Sequence, residues 1–386
     1  MFDYVKYAQE IRNELHQVPE IGFDLPETTA IVKRELDAMG ITYTEEFGKG
    51  SIVATINEGK PFTIGIRGDM DALPVQENSS NPYPSKHEGI MHACGHDVHT
   101  AQTLAAARML NDMRDQIRCR VKILFTPAEE YITPGCKMMV ENGVMDDIDC
   151  VISAHVDPGV PVGKVVMREG GLNANSMGIV VEFFGKPAHA NAQQRGVDAI
   201  RMGVEAYMAM ELMLARETPS AAPCLLNVGA FNAGKTNNIV CDYAKLFLSS
   251  RTQDDELTAF MERRIKEICE GVATMCGGTT KVTVTKLLPY VDNNPIMTKK
   301  MRETAVKLLG EENVGEAVRT MGGEDFAFLS RKKPGVMFRV GVANDHDPCS
   351  CAALHNDHFN PDERCFETSL PLFVNFVLDN QDGITF

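Results

Sequence analysis

One short segment of the chain concentrates side chains that bind first-row metal ions. It runs from Met91 to His99 and contains His92, Cys94, His96 and His99, just before an Ala-rich stretch with helical spacing. Thiolate and imidazole groups suit Zn²⁺ and other divalent ions. The alternative is a pair of solvated histidines beside a buried cysteine, and the spacing favours the metal-binding interpretation.

A pair of adjacent carboxylates, Glu129 and Glu130, follows a short apolar strand pattern and a proline. Neighbours on an irregular turn point in different directions. One of them could therefore bind a metal ion while the other accepts a proton from the water that the ion activates, as metal-assisted hydrolysis requires. Acidic residues are also common at helix N-termini, so the pair taken alone favours a helix N-terminus over a metal site.

Further candidate side chains follow predicted strands or lie in loops. His155 comes at the end of an apolar strand pattern, where open α/β sheets bind ligands. His355 and His358 lie in a loop late in the chain. Asp69 and Asp71 follow another strand, where a carboxylate could orient a histidine ligand. Each group alone is more often an ordinary core or surface feature, but their joint occurrence favours a metal centre.

The elements that would position these side chains alternate between helix and strand. Helical spacing covers residues 3–18, 27–39, 100–110 and 137–141, and strand patterns cover 51–56, 62–66, 121–125 and 150–154. This alternation predicts an α/β fold with a mostly parallel sheet flanked by helices on both faces.

The rhythm of the elements changes near residue 173. Strand patterns at 176–184, 224–231, 244–250 and 281–287 enclose helical patterns at 197–216 and 258–275. This β-α-β-β-α-β order is the ferredoxin-like split arrangement. A helix at 298–309 and further αβ units follow. The sequence therefore predicts a larger catalytic domain, residues 1–172 and 289–386, with an inserted α+β domain at residues 173–288.

Composition excludes several function classes. The 386 residues include 38 Lys and Arg against 53 Asp and Glu, a formal charge of −15. Such an acidic chain is a poor binder of nucleic acid, which needs clustered basic residues. An apolar run of about 18 residues, as a membrane span requires, does not occur, so we expect no membrane partner. The eleven scattered cysteines and the absence of a signal-peptide pattern predict a reduced, cytoplasmic protein.

Five segments in a fixed order carry a resemblance to a known family. They are His16–Phe23, Gly68–Pro74, His92–His99, Pro127–Glu130 and Gly323–Phe326. Together they resemble the M20 metallopeptidase family over nearly the whole chain. The branch they resemble comprises amidohydrolases such as hippurate hydrolase and the plant auxin–amino acid conjugate hydrolases.

The resemblance implies a pair of divalent metal ions in each chain. Mn²⁺ or Zn²⁺ is expected, with Co²⁺ and Ni²⁺ as alternatives. By position, the implied ligands are Cys94, His96, Glu130, His155 and His355. The cysteine stands where other branches of the family have a bridging aspartate.

The resemblance also assigns roles around the ions. It implies that Glu129 is the general base, that Asp71 is a supporting carboxylate, and that His189 of the inserted domain stabilises the oxyanion. Asn237 and Arg251 are the implied substrate-binding residues, with Arg251 just after a predicted strand. The family's Asn-Val-Ile-Pro run reads Asn-Asn-Ile-Val here from Asn237, and the proline usual after His189 is absent. The inserted domain is expected to act as a lid and to form a homodimer.

The expected reaction is metal-dependent hydrolysis of the amide bond of N-acyl amino acids, hippurate-like or N-acetyl conjugates, which releases a carboxylic acid and a free amino acid. Three alternatives remain open from the sequence. They are a dipeptidase or aminoacyl-peptidase, a non-catalytic metal-dependent binding protein, and a cysteine hydrolase that uses Cys94 with His96. The last is disfavoured because a nucleophile and base two residues apart in one loop would meet poorly.

Overall fold

The computed structural model describes residues 2–386. Its residues form two compact units, and the chain passes between them more than once. The first unit comprises the chain up to Leu172, Val291–Arg319 and Asp325–Phe386, and the second comprises Asn173–Tyr290 and Thr320–Glu324. The short segment 320–324 thus belongs with the inserted residues, although the sequence analysis assigned it to the larger domain.

Strands and helices are numbered in chain order. The strands of the first unit are β1 Thr42–Thr44, β2 Ile52–Ile56, β3 Thr63–Asp69, β4 Arg120–Thr126, β5 Cys150–Pro161, β6 Val165–Met167, β7 Gly170–Gly171, β12 Asp292–Asn293, β13 Val314–Glu316 and β14 Gly335–Ala343. Its helices are α1 Tyr4–His16, α2 Pro26–Met39, α3 His96–Asp112, α4 Gly135–Glu141, α7 Pro295–Leu309, α8 Phe326–Lys332 and α9 Cys365–Asn380.

Eight of these strands form one sheet, in the order β1-β2-β4-β3-β5-β14-β6-β13. At its centre β3 pairs in parallel with β4 and with β5, and β5 pairs in parallel with β14. The outer pairs β1–β2 and β2–β4 are antiparallel. Strands β7 and β12 form a separate two-stranded ribbon.

Both faces of this sheet are buried under helices. Ile123 and Ile152 pack into a core that includes Leu104 of α3, whereas the neighbouring Leu124 and Val151 pack into a second core on the opposite face. Successive side chains of a strand point to opposite faces, so buried neighbours require cover on both sides. The predicted α/β class, a mostly parallel sheet flanked by helices, is confirmed.

The second unit contains β8 Asn175–Phe184, α5 Ala199–Glu217, β9 Cys224–Ala233, β10 Tyr243–Thr252, α6 Asp255–Cys276 and β11 Thr279–Leu288. The four strands form an antiparallel sheet in the order β11-β8-β10-β9. The element order is the β-α-β-β-α-β arrangement that the sequence predicts. The helices α5 and α6 bury one face of the sheet through Met202, Met210, Met261 and Ile265.

Helices long and apolar enough to cross a bilayer do not occur among residues 2–386.

Candidate metal centre

The candidate site lies at the carboxyl ends of the parallel strands β3 and β4, beside the neighbouring strand β5 of the first unit. Asp69 ends β3 and is paired with Thr126, the last residue of β4. The pairing of β3 with β5 stops at Ser153, two residues before His155. The prediction that His155 ends its strand is wrong, because β5 continues to Pro161 along β14. His155 still lies level with the end of β3, at the carboxyl edge of the central parallel strands.

The metal-binding segment is partly a helix and not only a loop. Helix α3 begins at His96, earlier than the predicted 100–110, and Gly95 precedes it with a left-handed φ of +81°. A Cβ on Gly95 would lie 2.6 Å from a Val156 methyl group, so only glycine fits this turn. His96 and His99 therefore lie three residues apart on one face of the first helical turn.

The structure brings six of the candidate side chains into one cluster. Donor atoms of Cys94, His96 and His155 lie within 4.8 Å of one another, and the same limit holds for Cys94, Glu130 and His355 and for His96, Glu129 and Glu130. Cys94 Sγ is 3.6 Å from His155 Nε2. Because the three groups share members, they form one continuous set of thiol, imidazole and carboxylate donors.

Two histidines of this cluster, His96 and His155, have ring nitrogens that could bind a metal ion. His96 is fully buried, and neither of its ring nitrogens has a hydrogen-bond partner within residues 2–386, although Nδ1 lies 3.4 Å from Asp71 Oδ1. His155 donates Nδ1–H to the carbonyl oxygen of Val156 at 2.7 Å, which leaves Nε2 as a bare acceptor facing Cys94. A buried imidazole without a partner is costly, and a divalent ion would satisfy it. The donor set fits a pair of such ions.

His99 is not available as a ligand. Its Nδ1–H donates to Asp69 Oδ1 at 2.7 Å, and its Nε2 accepts the backbone N–H of Val156 at 2.9 Å. Both ring nitrogens are therefore committed, although donor atoms of Asp69, His96 and His99 lie within 4.8 Å of one another. His99 instead connects β3 to β5 beside the cluster.

Asp71 fixes the turn that carries the two glutamates. Its carboxylate accepts the backbone N–H of Glu129 at 2.9 Å and that of Glu130 at 3.1 Å. Ala128 has a φ of +57°, a sparsely populated conformation for a residue with a Cβ that clusters at functional sites. Asp71, which the sequence indicates as a supporting carboxylate, thus holds this turn in one geometry.

Two charged residues that the sequence analysis did not assign to the site support Asp69 and Glu129. The buried Arg67 guanidinium donates to Asp69 Oδ2 and to Asp325 Oδ1, both at 2.5 Å. Asp325 also accepts the N–H of Cys136 at 2.8 Å and donates its own N–H to Glu129 Oε1 at 3.2 Å. A charged residue inside a fully buried strand, such as Arg67 in β3, is the signal that could have found this group.

His355 reaches the cluster from the C-terminal part of the unit. Its backbone N–H donates to the carbonyl oxygen of Ala93 at 2.8 Å, and its Nε2 lies 2.9 Å from Glu130 Oε1. Its φ is +66°, a second strained backbone position at the site besides Ala128. His358, the other histidine of this loop, is exposed and lies 3.5 Å from the Asn78 amide nitrogen.

Burial and charge oppose each other in the cluster. Burial lowers the pKa of His155 to about 4, and also that of His99 to about 4, so both rings stay neutral near pH 7. Burial raises the pKa of the Cys94 thiol, and the Glu130 charge adds to this. Burial disfavours the imidazolium of His96, but Asp69 and the other groups around it raise its pKa overall. A bound cation would reverse the balance at Cys94, because a coordinating thiol loses its proton.

The other three predicted site residues belong to the second unit. His189 is exposed, accepts the backbone N–H of Asn191 at 3.2 Å and pairs through its backbone with Ile239. Asn237 is also exposed and lies two residues before Ile239 in the chain. The structure therefore places His189 and the Asn237 segment side by side within this unit.

Arg251 lies inside β10 and not after it, as the sequence analysis predicted. Its half-buried guanidinium donates to Ser249 Oγ at 3.1 Å and to the Ser250 carbonyl oxygen at 3.2 Å. Within residues 2–386 no carboxylate forms an ion pair with it, and burial lowers its pKa. A partly desolvated guanidinium without an acidic partner is suited to an anionic ligand.

Comparisons with known proteins identify relatives over nearly the whole chain. The model of peptidase family M20/M25/M40 matches residues 65–379. The chain is 34% identical to the hippurate hydrolase of Campylobacter jejuni over 375 residues, 96% of this chain and 95% of that protein. It is 34% identical to the N-acetyl-L-cysteine deacetylase of Bacillus subtilis over 354 residues, 92% of this chain and 83% of that one. A dinuclear metal binding peptidase of the M20 family from Bacillus subtilis superposes with a TM-score of 0.86 at 26% identity, over 99% of each chain.

Proposed function

The chain belongs to peptidase family M20/M25/M40, and from this membership we propose that it is a metal-dependent amidohydrolase of N-acyl amino acids. It cleaves the amide bond and releases a carboxylic acid and a free amino acid. The observation that carries the proposal is the continuous set of metal-binding donor atoms that includes Cys94 and Glu130, with the Glu129 carboxylate beside it. The two relatives at 34% identity are named for reactions of this class.

Five side chains of the cluster are the proposed ligands of two divalent ions. They are Cys94, His96, Glu130, His155 and His355. When bound, such ions polarise a carbonyl group and turn water into a nucleophile near neutral pH. The mixture of thiolate, imidazole and carboxylate suits Zn²⁺ or Mn²⁺, and Co²⁺ and Ni²⁺ can occupy the same donors.

Glu129 is the proposed general base. Its Oε1 accepts the N–H of Asp325 at 3.2 Å, while its Oε2 lies 4.0 Å from His96 Nε2, on the side of the cluster. The Glu129 carboxylate takes a proton from the attacking water and returns it to the nitrogen of the leaving amino acid. Such positioned proton transfer contributes about 10²–10⁴-fold in rate. Asp71 keeps Glu129 in place through the backbone of the turn.

The second unit supplies the proposed substrate contacts. His189 donates a hydrogen bond to the oxyanion that forms on the amide carbon, an effect worth about 10²–10³-fold. Arg251 binds the carboxylate of the amino acid, because its guanidinium is partly desolvated and lacks an acidic partner in the described part of the chain. Asn237 contributes a further hydrogen bond. His189 reaches the reacting atoms by closure of the lid or from a partner subunit.

An apolar surface beside the glutamates favours an apolar acyl group. Tyr131 and Ile132 follow Glu130 directly and are exposed by 52% and 80%. They extend from the turn that Asp71 fixes, and the Tyr131 ring packs against Phe23 with centroids 6.1 Å apart. We propose that these two exposed apolar side chains contact an aliphatic or aromatic acyl group.

The inserted unit is also the proposed dimerisation surface. Four apolar residues, Ile200, Val204, Met208 and Leu212, recur every four positions on α5 and are exposed by 40 to 62%. Strand β9 is an edge of its sheet, which leaves backbone groups available for pairing. A second copy that covers this helix face and edge would form a homodimer. With eleven free thiols, the proposed location is the reducing cytoplasm.

A panel of N-acyl amino acids tests the function. Metal-stripped protein is supplied with Mn²⁺, Zn²⁺, Co²⁺ or Ni²⁺ and assayed with acetyl, benzoyl and longer aliphatic conjugates, together with dipeptides. We expect hydrolysis of the acyl conjugates, with the lowest KM for apolar acyl groups. Replacement of Ile132 with Asp should raise KM for benzoyl conjugates more than for acetyl ones. Faster turnover of dipeptides than of every acyl conjugate would instead identify a dipeptidase.

A further inference from the structure

A fully buried arginine in the first helix joins two separate segments of the metal centre. Arg12 of α1 is 2% exposed. Its Nε donates to Asp97 Oδ2 at 2.8 Å, and its two terminal nitrogens donate to Glu363 Oε1 at 3.0 Å and to Asn360 Oδ1 at 3.2 Å. All three guanidinium nitrogens thus donate to partners far apart in the chain.

Each partner of Arg12 is close in sequence to a proposed metal ligand. Asp97 follows His96 in the first turn of α3. Asn360 and Glu363 lie between the His355 loop and α9. The two segments contact each other directly through the hydrogen bond from the His355 N–H to the Ala93 carbonyl oxygen. Arg12 connects them a second time through its hydrogen bonds to Asp97, Asn360 and Glu363.

His16, one helical turn further along α1, also contacts Asp97. Its Nδ1 lies 2.8 Å from Asp97 Oδ2 and its Nε2 lies 3.1 Å from Glu77 Oε1. Carboxylate oxygens only accept, so both ring nitrogens donate and the ring is an imidazolium. Burial disfavours that form, but Asp97 and Glu77 outweigh burial and raise the pKa of His16. Two buried cations thereby surround the Asp97 carboxylate.

Buried ion pairs of this kind contribute little net stability, because removing the charges from water costs about as much as their attraction returns. A buried fork with three defined partners does fix geometry. We propose that Arg12 is a positioning residue that holds the His96 segment and the His355 segment at the separation that metal binding requires. This inference rests on the proposed function, because it concerns the proposed ligands of that site.

Metal affinity of the Arg12→Gln variant tests the inference. Loss of groups that orient ligands costs about 10–100-fold in metal affinity, so we expect the dissociation constant for Zn²⁺, measured by chelator competition, to rise by that factor. Arg12→Lys keeps the charge but not the fork, and it should recover only part of the affinity. The absorption spectrum of the Co²⁺-loaded variant should show altered thiolate bands, which a general loss of stability would not produce.

Arg120→Gln is the matched control. Arg120 is 14% exposed at its side chain and donates to Glu58 and Thr63, but it begins β4 at the end of the sheet opposite the site. This variant should lose thermal stability and keep the wild-type metal affinity. If both arginine variants weaken metal binding equally, Arg12 has only a structural role and the inference is overturned.

A double-mutant cycle with Glu363→Gln adds a second test. If Arg12 acts by joining the two segments, Arg12→Gln and Glu363→Gln should each weaken metal binding, and the double variant should lose less than the product of the two factors. Glu363→Gln alone also tests the inference should Arg12→Gln fail to fold, because its side chain is 28% exposed. Unchanged metal affinity in Glu363→Gln would overturn the inference. A wild-type protein that binds no metal would instead refute the proposed function.

Discussion

The carboxylate of Asp71 accepts the backbone N–H of Glu129 at 2.9 Å, and the same carboxylate accepts the next N–H along the chain at 3.1 Å. One side chain thereby satisfies two consecutive backbone donors in a turn where Ala128 is left-handed. Asp71, which lies just beyond the end of β3, thus positions both the proposed base Glu129 and the proposed ligand Glu130. The geometry of the proposed reaction therefore depends on Asp71 without requiring it to touch substrate.

Asp71→Asn should lower kcat because an amide can accept at only one of its two terminal atoms, and the other would face a backbone N–H. We expect a loss of about 10–100-fold, typical of groups that orient ligands, measured as steady-state kcat with an N-acyl amino acid. Asp149→Asn is the matched control, since Asp149 accepts the N–H of Thr63 at the opposite end of β3. An equal loss of activity in both variants would refute the role given to Asp71.

Glu129→Gln should retain the fold and the bound metals but lose about 10²–10⁴-fold in kcat. The amide is nearly isosteric with the carboxylate yet cannot take the proton from the attacking water. Metal content by elemental analysis and kcat are measured on the same preparation. Glu141→Gln, on the exposed side of α4, serves as control. Near-wild-type kcat in Glu129→Gln would show that the base is another residue.

Cys94→Ser should lower the number of metal ions bound per chain, because the variant loses a charged thiolate donor of the set. Elemental analysis after dialysis measures the effect. Cys351→Ser removes an exposed thiol from the segment that precedes His355, and it should bind as much metal as the wild-type protein. Full occupancy in Cys94→Ser would exclude the thiol as a ligand.

His189→Ala should leave metal content intact and lower kcat by about 10²–10³-fold, the contribution of an oxyanion donor. If a partner subunit provides His189, a mixture of inactive Glu129→Gln and inactive His189→Ala chains should recover part of the activity, since one complete site can assemble from two defective chains. Mixtures that exchange subunits without any recovery would exclude a shared site and leave lid closure within one chain.

The sequence predicted the α/β class, the β-α-β-β-α-β order of the inserted unit, the family and the amide-hydrolase class, and comparisons and structure confirm these. It misplaced the start of α3 and the end of β5, because both depend on tertiary contacts. Gly95 starts the helix against Val156, and β14 continues to pair with β5 after β3 has ended. Local hydrophobic spacing contains neither contact.

Unlike the role of Asp71, the supporting roles of Arg67, His99 and Asp325 were beyond sequence reasoning for the same reason. His99 looked like a ligand because it shares a segment with His96, but Asp69 and Val156 occupy both of its nitrogens. Arg67 and Asp325 are 258 positions apart, and only the folded chain brings them together under Glu129. Residue type and spacing identify donors, whereas hydrogen bonds decide which of them remain available.

Metal removal and restoration shows whether amide hydrolysis by this protein depends on bound divalent ions. The protein is stripped with a chelator, its metal content is measured, and hydrolysis of an N-acyl amino acid is followed as Zn²⁺ or Mn²⁺ is returned. We expect negligible turnover in the stripped protein and recovery that is complete when two ions are bound per chain. Full turnover by protein that contains no measurable metal would contradict it.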